Sequence, residues 1–403
     1  MIGSTMYIIF LVVFLYCALT VLYLFLHALF AKYFYRDRFS RPEMPASQRI
    51  AILVPGYKED NIILSTAKSL LTLDYPKELY DVYIIADSFQ EQTIRQLRAL
   101  PIRVYEVSFD KSTKTKSLNE AFARMDKPYD IALICDADNI LAPDFLTRVN
   151  SAFVNGAHAV QGRRVAKNLD TSFAILDACS EGINNNIFRK GANALGLSSS
   201  VIGSGMAFEF SKVKKVLSSI SAVGGFDKIL QLEMVEDGQK IQYLAEAIVF
   251  DEKVDSSHAF KHQRRRWVSS QFIYLKQFFR PAVHQLLKGN FSYFDLALVK
   301  SVMLPRAFLM VLLPLLVPAS YFFGAGWMLT TIVVVFMYAL SLLLALPAEL
   351  INKDLLSAIL RLPKAVALMF GALFHVKRAN KSFIHTVHTK TEINNPLFNE
   401  HSK

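Results

Sequence analysis

The sequence predicts an α/β domain built on a mainly parallel sheet and inserted between transmembrane helices. Three observations predict it. Short apolar runs alternate with longer helix-like stretches from Gln48 to about Arg280. Several of those runs end on an acid or a turn residue. Two long stretches outside this block, Met1 to Ala31 and Ala307 to Ala348, contain no Asp, Glu, Lys or Arg.

A spanning helix needs roughly 20 apolar residues. Residues 1–31 therefore fit one transmembrane helix, and 307–348 fit a transmembrane hairpin turning near Gly324-Ala325-Gly326. These stretches raise the hydrophobic fraction to 53% and the mean hydropathy to +0.29. A secretory signal peptide carries its positive charge ahead of the apolar core. Here the charge follows, as Lys32, Arg36, Arg38 and Arg41. By the positive-inside tendency the basic linker 32–47 and the domain 48–280 are expected in the cytoplasm, giving a multi-pass protein of the cell membrane. Residues 281–306 form an interfacial connection. Arg361, Pro363 and Lys364 fall early in 355–376, which favours an interfacial helix there. The basic tail 377–403 then returns to the cytoplasm.

The net charge of +11 is uneven. Residues 253–280 carry seven basic side chains against one acid, and residues 352–403 carry eight against three. Base concentrated beside membrane segments suits anionic headgroups. A nucleic-acid groove would spread it with aromatics, so no nucleic-acid partner is expected. Cys17, Cys135 and Cys179 show neither metal spacing nor a disulfide framework and read as reduced structural thiols.

Ile50 to Val54, closed by Pro55-Gly56, reads as a buried strand, and a helical stretch follows over 61–73. Val82 to Ala86 is a second strand ending in Asp87, Arg103 to Val107 a third, and Ile131 to Cys135 a fourth ending in Asp136. Strands separated by helices imply parallel pairing. Ligands of such sheets bind beyond the strand carboxyl ends, where Pro55, Asp87 and Asp136 converge.

Carboxylates two apart on an extended chain share a side. Asp136 and Asp138 thus offer hard oxygen ligands for Mg2+ or Mn2+ bridging a diphosphate. An Asp turn capping a helix would look the same in isolation. Lys114 and Lys116 precede a helix expected from Ser117, a phosphate-friendly place. Glu236-Asp237, read as preceding a helical run, supplies a candidate general base. Gln263-Arg264-Arg265-Arg266-Trp267 joins guanidinium forks suited to phosphate to a flat ring for a sugar. A membrane-surface basic patch is the competing reading for Arg264 and Arg265. Gly203-Ser204-Gly205-Met206-Ala207 lets backbone approach a ligand closely.

Taken in order, Pro55, Tyr57, Glu59, Asp87, Asp136, Asp138, Glu236-Asp237 and Gln263 with Arg266-Trp267 resemble the processive-type family 2 glycosyltransferases. That group contains cellulose, chitin, hyaluronan and poly-N-acetylglucosamine synthases. The resemblance runs from about Ile50 to Trp267. It implies a GT-A fold, a UDP-sugar donor, a divalent cation (Mg2+ or Mn2+) and inversion to a β-linkage. It places the donor on Pro55, Tyr57, Glu59, Asp87, Lys114, Asp136 and Asp138, with metal at Asp138 and Asp136. It makes Asp237, beside Glu236, the catalytic base. It puts acceptor and diphosphate on Gly203, Ser204, Gly205, Gln263, Arg266 and Trp267. Phe383-Ile384-His385-Thr386 resembles a C-terminal motif of some members.

Lys58 and Ser88 depart from common family residues at the edge of the donor site. The membrane portion is also small for polysaccharide export, so an accessory membrane subunit stays open as a partner. The expected activity is β-transfer of a hexose or N-acetylhexosamine from a UDP-sugar to a saccharide or lipid-linked acceptor, processive or not. The alternative, a non-catalytic nucleotide-sensing membrane scaffold, has no use for an acid pair, a base and a tryptophan kept together.

Overall fold

A computed structural model describes residues 2–39, 43–220, 225–253, 257–373 and 388–401. Its chain opens with α1 (Ile2–Tyr33) and enters the sheet domain through β1 (Ile50–Tyr57). There follow α2 (Ile63–Leu70), β2 (Tyr80–Asp87), α3 (Glu91–Arg98), β3 (Arg103–Val107) and α4 (Lys114–Arg124). Next come β4 (Ile131–Ile134), β5 (Ile140–Leu141), α5 (Phe145–Val154), β6 (Ala159–Ala166) and α6 (Ser172–Asn184). A π-helical turn, Asn185–Gly191, continues α6. The domain finishes with β7 (Met206–Glu209), α7 (Phe210–Ser219), α8 (Phe226–Val235) and β8 (Gln242–Asp251).

The eight strands lie in the order β3-β2-β1-β4-β7-β6-β8-β5. The first four pair in parallel, whereas β7 is antiparallel to both β4 and β6, and β5 to β8. The parallel expectation therefore holds for the half containing the four strands read from sequence, and the complete sheet is mixed. Side chains alternate between its two faces. Leu53, Tyr83, Ile85 and Ile134 pack with α4, α7 and α8 on one side. Ile52, Val54, Ile84 and Leu133 pack with α2 and α5 on the other. Burial on both faces explains the unbroken apolar runs.

Two local expectations shift. α4 begins at Lys114, not Ser117, because the Thr113 side chain accepts from the Lys116 N–H and caps the helix there. Glu236-Asp237 follows a helix instead of preceding one. Gly238, with φ of 85°, ends that segment, and β8 comes next.

Beyond the sheet run α9 (Ser257–Leu287), a broken helix α10 (Phe291–Val302), α11 (Arg306–Tyr321) and α12 (Ala325–Ala345). Two short helices, α13 (Lys353–Ile359) and α14 (Leu362–Leu373), occupy the segment expected to lie in the interface, and α15 (Pro396–His401) ends the described chain. Among the described residues, two helices, Ser4–Tyr33 and Ala325–Ala345, are long and apolar enough to cross a membrane. α11 has 16 residues, about 24 Å, short of the ~30 Å hydrocarbon core. It meets α10 at 60°, so the pair counts as a third span only as a broken one. The hairpin turn sits where expected, at Gly324 with φ of 117°. α1 packs on α12 and on the π-turn. A Cβ on Gly191 would lie 2.2 Å from the His27 carbonyl oxygen, so only glycine permits that approach.

Candidate active site

The carboxyl ends of β1, β2 and β4 form one edge, as the parallel register requires. Pro55 pairs with Ile85 and Tyr57 with Asp87. Beyond the strands, Lys58 and Ser88 take positive φ, 56° and 59°, turning the chain sharply at the two positions that depart from the family pattern. Asp87 is buried; Oδ1 accepts from the Ser88 hydroxyl at 2.9 Å, while Oδ2 has no hydrogen-bond partner among the described residues. A buried acceptor left open is costly, and it suits a ligand donor.

Asp136, Asp138 and Asp251 form an acidic cluster whose oxygens lie within 4.8 Å of one another. Asp251 ends β8 just as Asp87 ends β2. Burial pushes the Asp138 carboxyl up to about 6; His388 opposes this, while Asp251 and Asp136 add to it. Three crowded hard-oxygen donors fit a divalent cation, which would relieve that repulsion. Asp138 Oδ2 also accepts from the Glu252 N–H at 3.0 Å.

Lys114 joins this cluster to the glycine loop. Its ammonium pairs with Asp136 and donates to the Gly203 carbonyl at 2.7 Å. The Asp136 N–H donates to Ser204 Oγ at 2.9 Å. Gly203 and Gly205 both need positive φ, 83° and 60°, and a Cβ on Gly205 would meet Val249 at 2.5 Å. Of the residues read from sequence, the fold gathers Pro55, Tyr57, Glu59, Asp87, Lys114, Asp136, Asp138, Gly203, Ser204 and Gly205 at this edge.

It did not bring Glu236 and Asp237 there. Asp237 pairs with Lys212 of α7 at 2.7 Å and is half exposed. Slight burial raises its pKa, but Lys212 and the Gln239 N–H outweigh that and hold it below the ordinary value. The acid at the other end of α8 is Asp227, ten residues earlier and so about 15 Å away along the axis. A Cβ on Gly203 would sit 3.8 Å from Asp227 Oδ2, and Phe226 lies under the Lys114 ammonium at 5.6 Å. Asp227 keeps some solvent access yet is enclosed by protein, as at the bottom of a cleft. That enclosure raises its pKa against the pull of Lys114.

Sequence reasoning also missed Asp251, Lys167 and His388. The Lys167 ammonium donates to the carbonyls of Asp138 and Lys390. The Thr389 and Lys390 N–H groups donate to Glu252, and the Asn395 amide to the Ala166 carbonyl. The C-terminal segment therefore lies across the ends of β6 and β8. His388 Nδ1 meets Glu59 Oε1 at 3.0 Å. Burial alone would lower the imidazole, but Asp138 and Glu59 raise its pKa to about 10. Gln263, Arg266 and Trp267 lie on α9, with Arg264 and Arg265, but their side chains fall outside the described residues, as does the whole Phe383–Thr386 motif.

Behind the acids lies a buried ion cluster. Glu181 faces Arg164 at 2.8 Å, Arg189 at 3.3 Å and Lys253 at 3.8 Å. Lys253 reaches Asp251 at 2.8 Å, tying the cluster to the site. Burial would raise the Glu181 carboxyl, yet these cations hold it well below the usual range.

A central sheet edge carrying clustered acids and a glycine loop has the layout of a ligand site beyond strand carboxyl ends. The family described as glycosyltransferase like family 2 matches residues 45–270, more than half of the chain, and the protein belongs to that family. The beta-monoglucosyldiacylglycerol synthase of Trichormus variabilis is 27% identical over 254 residues, 59% of this chain and 52% of the relative. The probable glycosyltransferase YdaM of Bacillus subtilis is 22% identical over 272 residues, 63% of each. The chain thus spans about half to two-thirds of the length of these relatives. The mannosyltransferase PcManGT of Pyrobaculum calidifontis, solved with GDP-Man and Mn2+, superposes with a TM-score of 0.56. It is 14% identical, with 94% of this chain and 99% of that one covered, and shares the GT-A fold.

Proposed function

We propose that the protein is a membrane-bound inverting β-glycosyltransferase that moves a hexose or N-acetylhexosamine from a UDP-sugar to a hydroxyl of a lipid or saccharide. One observation carries the reading: Asp227, Lys114, Asp136 and Gly203 meet at the strand ends, so a recessed carboxylate faces the place where a diphosphate would lie. Asp87, with its open oxygen, and Glu59 hold the nucleoside. Asp136, Asp138 and Asp251 would hold a divalent cation, Mg2+ or Mn2+, which would supply charge to support a departing diphosphate. Asp227 accepts the acceptor's hydroxyl proton as that oxygen bonds to the anomeric carbon. The carbon–oxygen bond to the β-phosphate breaks, and UDP leaves with the electron pair. Attack opposite the leaving group turns an α-linked donor into a β-linked product. Lys114 offsets the charge growing on the diphosphate.

The base is therefore Asp227, in place of the Asp237 expected from the resemblance. The names of the diacylglycerol-glycosylating relatives support a lipid acceptor and a β-linkage. Two membrane-length helices and the basic Lys32, Arg36 and Arg38 support a cell-membrane enzyme with its sheet domain in the cytoplasm.

The test uses purified full-length protein, Mn2+ or Mg2+, and a panel of UDP-glucose, UDP-galactose and UDP-N-acetylglucosamine. UDP release that needs an acceptor, with a β-anomeric product by NMR, is expected. No release from any donor with either metal and either acceptor class would sink the proposal. Product length separates single transfer from chain extension.

A further inference from the structure

We infer that the groove between α9, α11 and α14 seats an acyl chain of the acceptor, so that the acceptor is a glycerolipid carrying a free hydroxyl. The inference rests on the glycosyltransferase reading above and narrows its acceptor.

The groove has a volume of about 550 Å³. Leu275 of α9, Phe308, Leu312 and Leu315 of α11, and Phe370 of α14 give it an almost wholly apolar wall. Phe308 and Phe370 close one end edge to face, 4.4 Å between ring centres. Leu315 is 63% exposed at the mouth. An open apolar cleft of this size is large for a surface facing water and within the range of ligand sites.

The backbone around it is satisfied as bilayer depth would require. The break between α10 and α11 frees main-chain groups that water would normally take. Side chains take them instead. The Gln271 amide donates to the Ser301 and Met303 carbonyls at 2.7 and 3.0 Å. The Tyr16 hydroxyl of α1 donates to the Val302 carbonyl at 2.7 Å and accepts from the Leu304 N–H at 2.9 Å. Irregular backbone at membrane depth survives only with such internal partners. With α10 and α11 together apolar enough for a broken span, the cleft would open among hydrocarbon, where the available occupant is a lipid chain.

Position links that chain to the reaction. Gln271 stands four residues, about one turn or 6 Å, beyond Trp267 on the same helix. Tyr274, three residues further along α9 than Gln271, lies against Gly225 and within electrostatic reach of Asp227. A lipid tail seated in the groove would bring its headgroup to the stretch of α9 that meets Gly225 and Asp227. A free saccharide would leave the groove unused.

The probes are dioleoylglycerol and dihexanoylglycerol in mixed micelles, and glucose as a water-soluble acceptor, each with the UDP-sugar panel. Wild-type protein should transfer to dioleoylglycerol with a KM at least about tenfold below that for dihexanoylglycerol, and poorly to glucose. Leu312→Trp fills the groove and should raise KM for dioleoylglycerol about tenfold with a smaller change in kcat. Phe308→Ala opens its end and should shift preference toward longer chains. A thermal shift on adding UDP and Mn2+ certifies that each variant is folded. Equal KM values for long and short chains, or unchanged chain preference in both folded variants, would overturn the inference and leave only a structural bilayer lipid there. Faster transfer to glucose would overturn it too, while leaving the glycosyltransferase reading intact. Absence of UDP release with acceptors of both classes would instead count against that reading itself.

Discussion

The two ends of α8 carry the same functional group in opposite surroundings. At its start Asp227 is enclosed by protein, beside Lys114 and the Gly203 turn, with a raised pKa. Just past its end Asp237 is half exposed, paired with Lys212, and has a lowered pKa. A base must be ionised at working pH yet keen to take a proton, which favours a raised carboxylate. It must also stand near the atoms that react. On the proposed reaction Asp227 meets both conditions, whereas Asp237 is ionised but neither raised nor near that place. An acid pair in a sequence marks charge density, whereas reactivity depends on what the fold puts around it.

Replacing each acid by its amide breaks or sharpens this contrast. The largest effect is expected at Asp227→Asn, which should lower turnover about 10²–10⁴-fold with UDP binding retained, measured as acceptor-dependent UDP release. Wild-type turnover in that variant would remove Asp227 from the mechanism and reopen the case for Asp237.

Next comes Glu181→Gln, behind the buried end. Arg164, Arg189 and Lys253 would lose their shared counter-charge, and breaking a buried pair this way costs about 3–5 kcal/mol. The sign with pH follows from the depressed carboxyl. Its contribution is full above the unfolded pKa and lost as pH falls through the lower folded value. The variant's deficit should therefore narrow in strong acid, as read by denaturant melts at several pH values. A deficit unchanged across that acid range would mean that Glu181 acts through packing alone.

Lys114→Met tests the environment of the base. Losing a cation beside the diphosphate should cost about 10²-fold in kcat. Lys114 also draws the Asp227 pKa down, so its loss should move the acidic limb of the rate profile to higher pH. A limb that stays put would mean that some other group governs it.

Much of this was legible beforehand, for a physical reason. Strands buried on both faces write continuous apolar runs, and an acid that ends such a run sits at the ligand edge. Asp87 and Asp136 were found that way. Asp251 obeys the same rule after Val249-Phe250, but β8 begins with polar residues and blurs the signal. Asp227 was hidden because an acid in the first turn of a helix is ordinary, favoured there by the helix dipole. Lys167 and His388 reach the site from distant parts of the chain, 29 and 250 residues from Asp138, and nothing local announces such contacts. The two helices of membrane-spanning length were readable from charge-free length. The bend before α11 was not, since Tyr16 and Gln271 stabilise it from other helices.

The smallest effect is expected at Asp237→Asn. The Lys212 pair is largely solvated, and exposed pairs contribute about 0–1 kcal/mol. Asn also retains an oxygen that can accept from the Gln239 N–H, so the turn into β8 keeps its geometry. Turnover should stay within about twofold of wild type, since a change under 1 kcal/mol at a remote site moves rates little. This variant is the sharper half of the comparison. A loss as large as that of Asp227→Asn would show that the exposed end of α8 swings into the cleft when donor binds. Equal UDP release in wild type and variant, measured in one preparation with one acceptor, would confine the base to the buried end.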